Sequence, residues 1–182
     1  MPRDSTATRT RILDAATTEF AEFGLAGARV DRLAERAGAN KQLIYAYFGS
    51  KEALFDATLE RHIEQLLDAV PFNAYDLPAY AIAMLDFGIT HPQLLRLLHW
   101  HVLERPGGLA RLEQTIGSTE RKVAALAEAQ AAGKVDDTLP PGELLAVVLG
   151  IIQAVDDPTP QALAVRRESV AAAVRRLVTP AD

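Results

Sequence analysis

Lys41, Gln42 and Tyr45 place hydrogen-bonding groups and an aromatic ring on one side of a short predicted helix. Ile44 and Phe48 lie four residues apart and form its apolar side, which must pack against another element. Lys and Gln side chains can hydrogen-bond to the edges of base pairs when an exposed helix enters the major groove. This combination of residue types indicates double-stranded DNA as a partner.

Another short helix is predicted directly before this one and would hold it in place. Val30 and Leu33 lie at helical spacing, and Gly38 is a stop signal. Asn40 can cap the helix that follows. Residues 27–55 therefore predict a helix-turn-helix, although an αα-hairpin that only packs the core would show the same periodicity.

The stretch AGANKQLIYAYFGSKEALF within this region resembles the signature of the TetR family of bacterial transcriptional regulators. That signature is Ala-Gly, five residues, Leu or Ile, Tyr, one residue, Tyr or His, Phe, one residue, Ser or Asn, Lys, two residues and Leu. The resemblance covers residues 9–60. The matching positions are Ala37, Gly38, Ile44, Tyr45, Tyr47, Phe48, Ser50, Lys51 and Leu54.

The resemblance implies roles for individual residues of this region. Lys41, Gln42 and Tyr45 look like base-edge or adjacent contacts, whereas Arg29, Tyr47 and Lys51 look like phosphate contacts. Gln42 and Leu43 occupy positions that are often Gly and Thr in the family, which implies an unusual operator. The complete predicted DNA-binding set is Arg29, Lys41, Gln42, Leu43, Tyr45, Tyr47 and Lys51.

Charge is distributed unevenly along the 182 residues, whose net charge is −5. Residues 1–51 carry a net charge of +2 and residues 52–182 a net charge of −7. Phosphate neutralisation must therefore come from a few placed cations, so the salt dependence of DNA binding should be moderate. Arg29, where the family usually has part of a Thr pair, is one such cation and also a poor cap for its helix.

Composition argues against a disulfide-bonded, secreted or membrane-spanning protein. The chain has no Cys, which excludes disulfides and thiolate metal sites and fits a reducing cytoplasm. Its first residues lack the apolar core of a secretory signal, and the longest apolar run, 144–152, is too short to cross a bilayer. We therefore expect a soluble, cytoplasmic protein without membrane contact.

Helical periodicity continues along the whole chain and predicts an all-α fold of about nine helices. We expect a DNA-binding domain over residues 1–50 and an effector-binding and dimerisation domain over residues 51–182. Expected helix boundaries include a polar lead over residues 1–8, a stop at Gly24 and a break at Gly117. Further expected boundaries are starts at Lys51, Pro92, Leu109, Pro141 and Pro160, and stops at Val70, Thr90, Pro106, Ala132 and Val178.

The predicted eighth helix is apolar on nearly every side and must be buried on every side, which indicates a homodimer. In the family that the chain resembles, the last two helices do dimerise. The alternative is that this helix is the core of a monomer. The predicted interface residues are Leu145, Val148, Leu149, Ile152, Val170, Val174 and Leu177.

The fifth and sixth predicted helices mix aromatic and polar residues with aliphatic ones, as small-molecule pockets do. The resemblance implies an effector pocket among helices four to seven, although stripes of this kind are often only core. The identity of the effector does not follow from the residues. The candidate pocket residues are Tyr80, Met84, Phe87, His99, Trp100, His101 and Leu103.

Catalysis and metal binding have little support in the sequence. His99 and His101 are two residues apart, so they point to different sides of a helix and cannot chelate together. No nucleophile elbow or phosphate-binding Gly-rich loop is present. We expect no enzyme, no cofactor and no metal, but a repressor released from a palindromic operator by a small hydrophobic or aromatic effector. A regulator controlled by a protein partner, without a ligand, is the alternative, and an enzyme on a helical scaffold is a more distant one.

Overall fold

Nine helices form the described part of the chain, which comprises residues 2–105, 113–152 and 159–180 of a computed structural model. No strand occurs within those residues, so the all-α prediction is confirmed. No helix in these ranges is both long and apolar enough to cross a membrane. The helices are α1 (Pro2–Gly27), α2 (Val30–Ala37), α3 (Lys41–Phe48), α4 (Lys51–Ala69), α5 (Leu77–Thr90), α6 (Pro92–Glu104), α7 (Glu113–Ala131), α8 (Pro141–Ile152) and α9 (Pro160–Val178).

These helices form two compact units. The first unit contains the described residues of Met1–Gln65 and His91–Ile116, and the second contains those of Leu66–Thr90 and Gly117–Asp182. The predicted functional division at residue 50 follows the order of the chain, whereas the compact units follow packing. Because α6 packs along α1, it belongs to the same unit as α2 and α3.

The core of the first unit is built on the apolar side of α1. Ile12 and Phe20 have no exposed surface, and Leu33 and Ile44 are 1% exposed. The Phe20 and Phe55 rings meet edge to face with their centroids 5.0 Å apart. An aromatic pair of this geometry adds about 0.5–1.5 kcal/mol beyond the burial of its surface. Helices α2 and α3 thus share one apolar core with α1.

Several helix boundaries differ from the expected ones. The first helix begins at Pro2, where we expected a polar lead, because Pro is well suited to a first helical turn. Gly24 interrupts this helix as predicted, with φ 68° and ψ −176°, and one further turn follows it to Gly27. The predicted break at Gly117 is wrong, since α7 continues through it, and a single Gly costs a helix only about 1 kcal/mol.

Some predicted boundaries cannot be compared with the structure. The stop at Pro106 and the start at Leu109 lie outside the described residues. The starts at Lys51, Pro92, Pro141 and Pro160 are confirmed, as is the end at Val178.

In the second unit, α5 packs against α8 and α9. Five of the seven predicted dimer residues have their side chains buried within this unit, and Leu149 and Leu177 are half-buried. The large apolar side chains that α8 and α9 leave exposed are instead Val147 and Val165, which are 40% and 63% exposed. The five buried residues are Leu145, Val148, Ile152, Val170 and Val174.

Candidate nucleic-acid interface

The recognition helix α3 is held by a cap at its start and one buried side chain. The Asn40 side-chain oxygen accepts a hydrogen bond of 2.8 Å from the Leu43 N–H, so the predicted cap is confirmed. Ile44 fixes the inner side, and Lys41 and Gln42 are exposed on the outer side together with Tyr45, which is 44% exposed. A donor-rich surface therefore faces solvent on a rigid helix.

Helix α2 has no side-chain cap of its own, and α1 supplies one instead. Arg29 occupies the cap position without making a side-chain cap, as its residue type predicted. Its N–H donates a 2.8 Å hydrogen bond to Glu19 Oε1, and the Arg32 Nη2 atom donates to the same oxygen at 2.6 Å. The Arg32 guanidinium also lies 4.1 Å from the centroid of the Phe23 ring. These contacts fix the orientation of α2 on α1.

Glu19 is an ionised group with no exposed surface. Burial raises the pKa of its carboxyl. Hydrogen bonds from the Arg32 side chain and the Arg29 N–H lower this pKa by more than burial raises it, so the net pKa lies below 4.5. The carboxylate therefore stays charged at neutral pH. A buried charge of this kind is tolerated because its oxygens are fully hydrogen-bonded.

An open groove runs between the start of α2, the recognition helix and the start of α4. Lys51 Nζ donates a 3.3 Å hydrogen bond to the Ala28 carbonyl, which links the start of α4 to the residues just before α2. Ser50 Oγ accepts from the Ala53 N–H at 3.0 Å and caps α4, whose positive end favours an anion. The groove is lined by Ala28, Arg29, Val30, Asp31, Lys41, Tyr45, Gly49, Ser50, Lys51 and Glu52.

The groove gathers four of the seven predicted DNA-binding residues, namely Arg29, Lys41, Tyr45 and Lys51. Gln42 lies on the exposed side of α3, whereas Leu43 and Tyr47 are half-buried. The Tyr47 ring is tilted against that of Phe48, with centroids 6.2 Å apart.

Asp31 is one of two acidic side chains that line this groove, and the other is Glu52. Asp31 Oδ1 is 2.5 Å from Lys41 Nζ, and both side chains are well exposed, at 73% and 47%. In the free protein, the cation that we expect to contact DNA is therefore already paired. The sequence analysis did not identify Asp31, although its place in the first turn of α2 was visible.

The predicted effector residues fall into both compact units. Tyr80 and Phe87 are buried in the second unit, and Met84 is half-buried there. In the first unit, the rings of His101 and Phe55 stack with their centroids 6.0 Å apart. The other three residues of that unit differ in exposure: His99 is exposed, Leu103 is 75% exposed, and Trp100 is half-buried with its Nε1–H donating to the Ala21 carbonyl at 3.3 Å.

The opposite exposures of His99 and His101 agree with the expectation that they lie on different sides of their helix. Among the described residues, no group of three His, Asp or Glu side chains is arranged to hold a metal ion. The pocket itself stays a prediction, and its α6 members do not share one surface.

Glu104 is a further residue that the sequence analysis missed. Its Oε2 atom accepts hydrogen bonds from the Leu25 N–H at 2.6 Å and the Ala26 N–H at 3.1 Å. These are the amides that the break at Gly24 releases from the α1 helix. Nothing in the sequence links residues 79 positions apart, so only the fold reveals this contact.

Two family models match the chain. The model described as "Bacterial regulatory proteins, tetR family" matches residues 12–58, and the model described as "Tetracyclin repressor-like, C-terminal domain" matches residues 76–181. Together they cover the DNA-binding region and most of the remainder. The second alone extends over more than half of the chain.

Two individual proteins are similar to the chain, one over most of its length and the other over half of it. The HTH-type transcriptional repressor SCO4008 of Streptomyces coelicolor is 43% identical over 152 residues, which are 82% of this chain and 78% of that protein. The HTH-type transcriptional repressor NicS of Pseudomonas putida is 35% identical over 98 residues, half of this chain and 46% of NicS.

A solved structure shows the same fold. The crystal structure of the candidate transcriptional regulator SCO4942 of Streptomyces coelicolor has a TM-score of 0.78 and 36% identity, and the match covers 94% of this chain and 98% of that one. The helix-turn-helix and the remaining helices thus occur together in a known regulator architecture. The chain belongs to the TetR family of bacterial regulatory proteins and is a DNA-binding transcriptional regulator rather than an enzyme.

Proposed function

We propose that the chain is a homodimeric repressor that binds a palindromic operator through α3 and is released from it by a small hydrophobic or aromatic effector. The observation that carries this proposal is the exposed side of α3, where Lys41, Gln42 and Tyr45 lie beside a groove with further cations. SCO4008, the relative that is 43% identical, is named a transcriptional repressor. Its similarity extends well beyond the helix-turn-helix.

Different residues of the interface do different work in this proposal. Lys41, Gln42 and Tyr45 contact base edges in the major groove, where Lys hydrogen-bonds to guanine and Gln to adenine. Arg29, Lys51 and Tyr47 contact phosphates, and the capped start of α4 adds a favourable dipole for a phosphate. Leu43, which is half-buried, contributes apolar surface at the edge of this interface.

A dimer is required for a palindrome, because two recognition helices must lie about 34–36 Å apart to enter successive major grooves. We assign the second subunit to α8 and α9, where Val147 and Val165 expose apolar surface. An effector that favours another spacing lowers DNA affinity, and a coupling of about 1–3 kcal/mol releases the operator about 5–150-fold. Sedimentation that shows a monomer at micromolar concentration would contradict this assembly.

The DNA-binding assignment is tested with two single substitutions. Operator fragments are first selected from genomic DNA, and affinities for operator and scrambled DNA are then measured by fluorescence anisotropy over a range of salt. Lys51→Ala should weaken binding to both DNAs by the same factor and reduce the salt slope by about 1, as expected for a lost phosphate contact. Gln42→Ala should instead lose discrimination of about 1–3 kcal/mol at particular base positions.

Matched controls come from the same chain. Lys134→Ala and Gln93→Ala remove the same side-chain types at exposed positions outside the groove and should leave both affinities unchanged. Thermal unfolding of Lys51→Ala measures how much stability is lost with the hydrogen bond from Lys51 to the Ala28 carbonyl. If Gln42→Ala weakened all sequences equally while Lys51→Ala changed base preference, the assignment of roles would be wrong.

A further inference from the structure

Three side chains of the second unit meet in a small aromatic cluster, formed by Phe72, Tyr80 and Lys122. The rings of Phe72 and Tyr80 pack edge to face with their centroids 4.9 Å apart. Lys122 of α7 places its Nζ atom 5.9 Å from the Phe72 centroid and 5.4 Å from the Tyr80 centroid. Neither Phe72 nor Lys122 was a candidate in the sequence analysis.

The Tyr80 hydroxyl of this cluster is a hydrogen-bond donor without an acceptor among the described residues. Tyr80 is only 3% exposed, yet its hydroxyl has no hydrogen-bond partner in the described part of the chain. Burial raises the pKa of this hydroxyl to about 12, so it stays protonated and can donate. Buried polar groups are nearly always paired in folded proteins, so an unpaired one requires an explanation.

Lys122 supplies the positive charge of the cluster and is half-buried. Within the described residues its side chain forms no ion pair with a carboxylate, and its Nζ atom lies near the two aromatic rings. Burial lowers the pKa of its ammonium group, and the positive charge of Arg121 lowers it further. A bound anion would favour the charged form of Lys122 and so oppose the lowering of its pKa by burial and by Arg121.

We propose that the Phe72, Tyr80 and Lys122 cluster binds a small aromatic acid, with the carboxylate accepting hydrogen bonds from Tyr80 Oη and Lys122 Nζ. The two rings supply an apolar wall for the remainder of the ligand. This inference rests on the proposed function, because the acid would be the effector that releases the operator. It adds the chemical class of that effector, which the sequence left open.

A cationic ligand fits this cluster poorly. The Lys122 ammonium already occupies the position that a ligand cation would take against the two rings. Arg121 adds another positive charge to its surroundings. The cluster therefore favours an anion over a cation of the same size and over a neutral isostere.

The test compares 1-naphthoate with 1-naphthamide, which has the same shape without the charge. Binding to the full-length protein is measured by calorimetry in the absence of DNA. The wild type should bind naphthoate at least about tenfold more tightly than naphthamide, since hydrogen bonds to charged groups are the stronger ones. Equal affinities, or no binding of naphthoate at millimolar concentration, would overturn the proposal.

Two conservative variants locate the site. Tyr80→Phe removes only the hydroxyl, and Lys122→Met removes the charge while keeping an apolar chain. Each should weaken naphthoate about fivefold or more and leave naphthamide nearly unchanged. Lys134→Met, at an exposed position of the same unit, should bind both compounds like the wild type. Wild-type affinity for naphthoate in both cluster variants would overturn the assignment.

Stability gives an independent readout of the same idea. Because the Tyr80 hydroxyl has no partner in the free protein, Tyr80→Phe should leave the melting temperature unchanged or raise it, although it weakens the ligand. A fall of several degrees would show that the hydroxyl is already bonded within the protein. The need for an external acceptor would then disappear.

Operator release separates this inference from the proposed function. If naphthoate binds with the expected preference but does not change DNA affinity, the site stands and regulation by an effector at this site fails. If DNA is bound and released by a neutral or cationic compound instead, the regulator stands and the acid site is overturned.

Discussion

A methyl group added at Gly24 should destabilise the protein more than the same addition at Gly133 or Gly142. Gly24 has φ 68° and ψ −176°, a region that other residues essentially never adopt. An ideal Cβ at this position would lie 2.6 Å from Glu104 Oε1 and 2.8 Å from two atoms of the Trp100 ring. The backbone angles and the close contacts with Glu104 and Trp100 therefore both disfavour a side chain at Gly24.

The magnitude has a backbone part and a packing part. The backbone conformation costs about 1–3 kcal/mol for a residue with a Cβ. Overpacking adds about 1–3 kcal/mol, because neither neighbour can move freely: Trp100 is bonded to the Ala21 carbonyl, and Glu104 accepts from two amides. The loss of about 2–6 kcal/mol is a large share of the 5–15 kcal/mol that stabilises a typical domain.

The assay is denaturant unfolding of Gly24→Ala at fixed protein concentration, compared with two matched variants. Gly133 also has a positive φ, 64°, but a Cβ there would meet nothing within 4 Å, so Gly133→Ala should lose only about 1–2 kcal/mol. Gly142→Ala lies in a helix with open space and should change stability by less than about 1 kcal/mol. If Gly24→Ala lost no more than Gly133→Ala, the close packing of Trp100 and Glu104 on this turn would be refuted.

Two further predictions concern the charged groups around α2. Asp31→Asn should raise operator affinity about two- to fivefold at low salt, because it frees Lys41 from an exposed ion pair. Fluorescence anisotropy should show a smaller gain in affinity for the control variant Glu35→Gln. Equal gains for the two variants would contradict the pairing of Asp31 with Lys41. Glu19→Gln should lower stability by about 1–3 kcal/mol at neutral pH, since it removes a buried charge that is bonded to Arg32. The folded-state pKa of Glu19 lies below 4.5, so its contribution is present above that pH and is lost as the pH falls through the folded-state value. Melting curves should therefore converge in acid, and a constant difference at every pH would contradict the charge as its cause.

Most helix boundaries could be predicted because their causes are local. Asn40 caps α3 through an amide three residues away, and Thr159 does the same for α9. Pro at the first turn of α6 and Gly38 after α2 act within a few residues as well. Periodicity in a window of a few turns contains that information in full.

The contacts that orient the helices could not be predicted, because they join distant residues. Glu19 replaces the cap that Arg29 lacks, and Glu104 bonds amides from the other end of the unit. The weak cap of α2 was visible in the sequence, but the side chain that compensates for it was not. The same holds for the cluster of Tyr80 and Lys122, whose members are 42 positions apart.

The carboxylates of Glu19 and Glu104 connect the helix-turn-helix to α1 and α6, which lie outside it. Glu19 of α1 fixes the start of α2, and Glu104 of α6 fixes the turn that leads from α1 to α2. A displacement of α6 would therefore act on the amides of Leu25 and Ala26, only a few residues before Arg29 and the groove. Packed groups of this kind change between discrete arrangements rather than deforming gradually. Under the proposed regulation, α6 thus has a short physical connection to the DNA-binding surface that does not pass through α4.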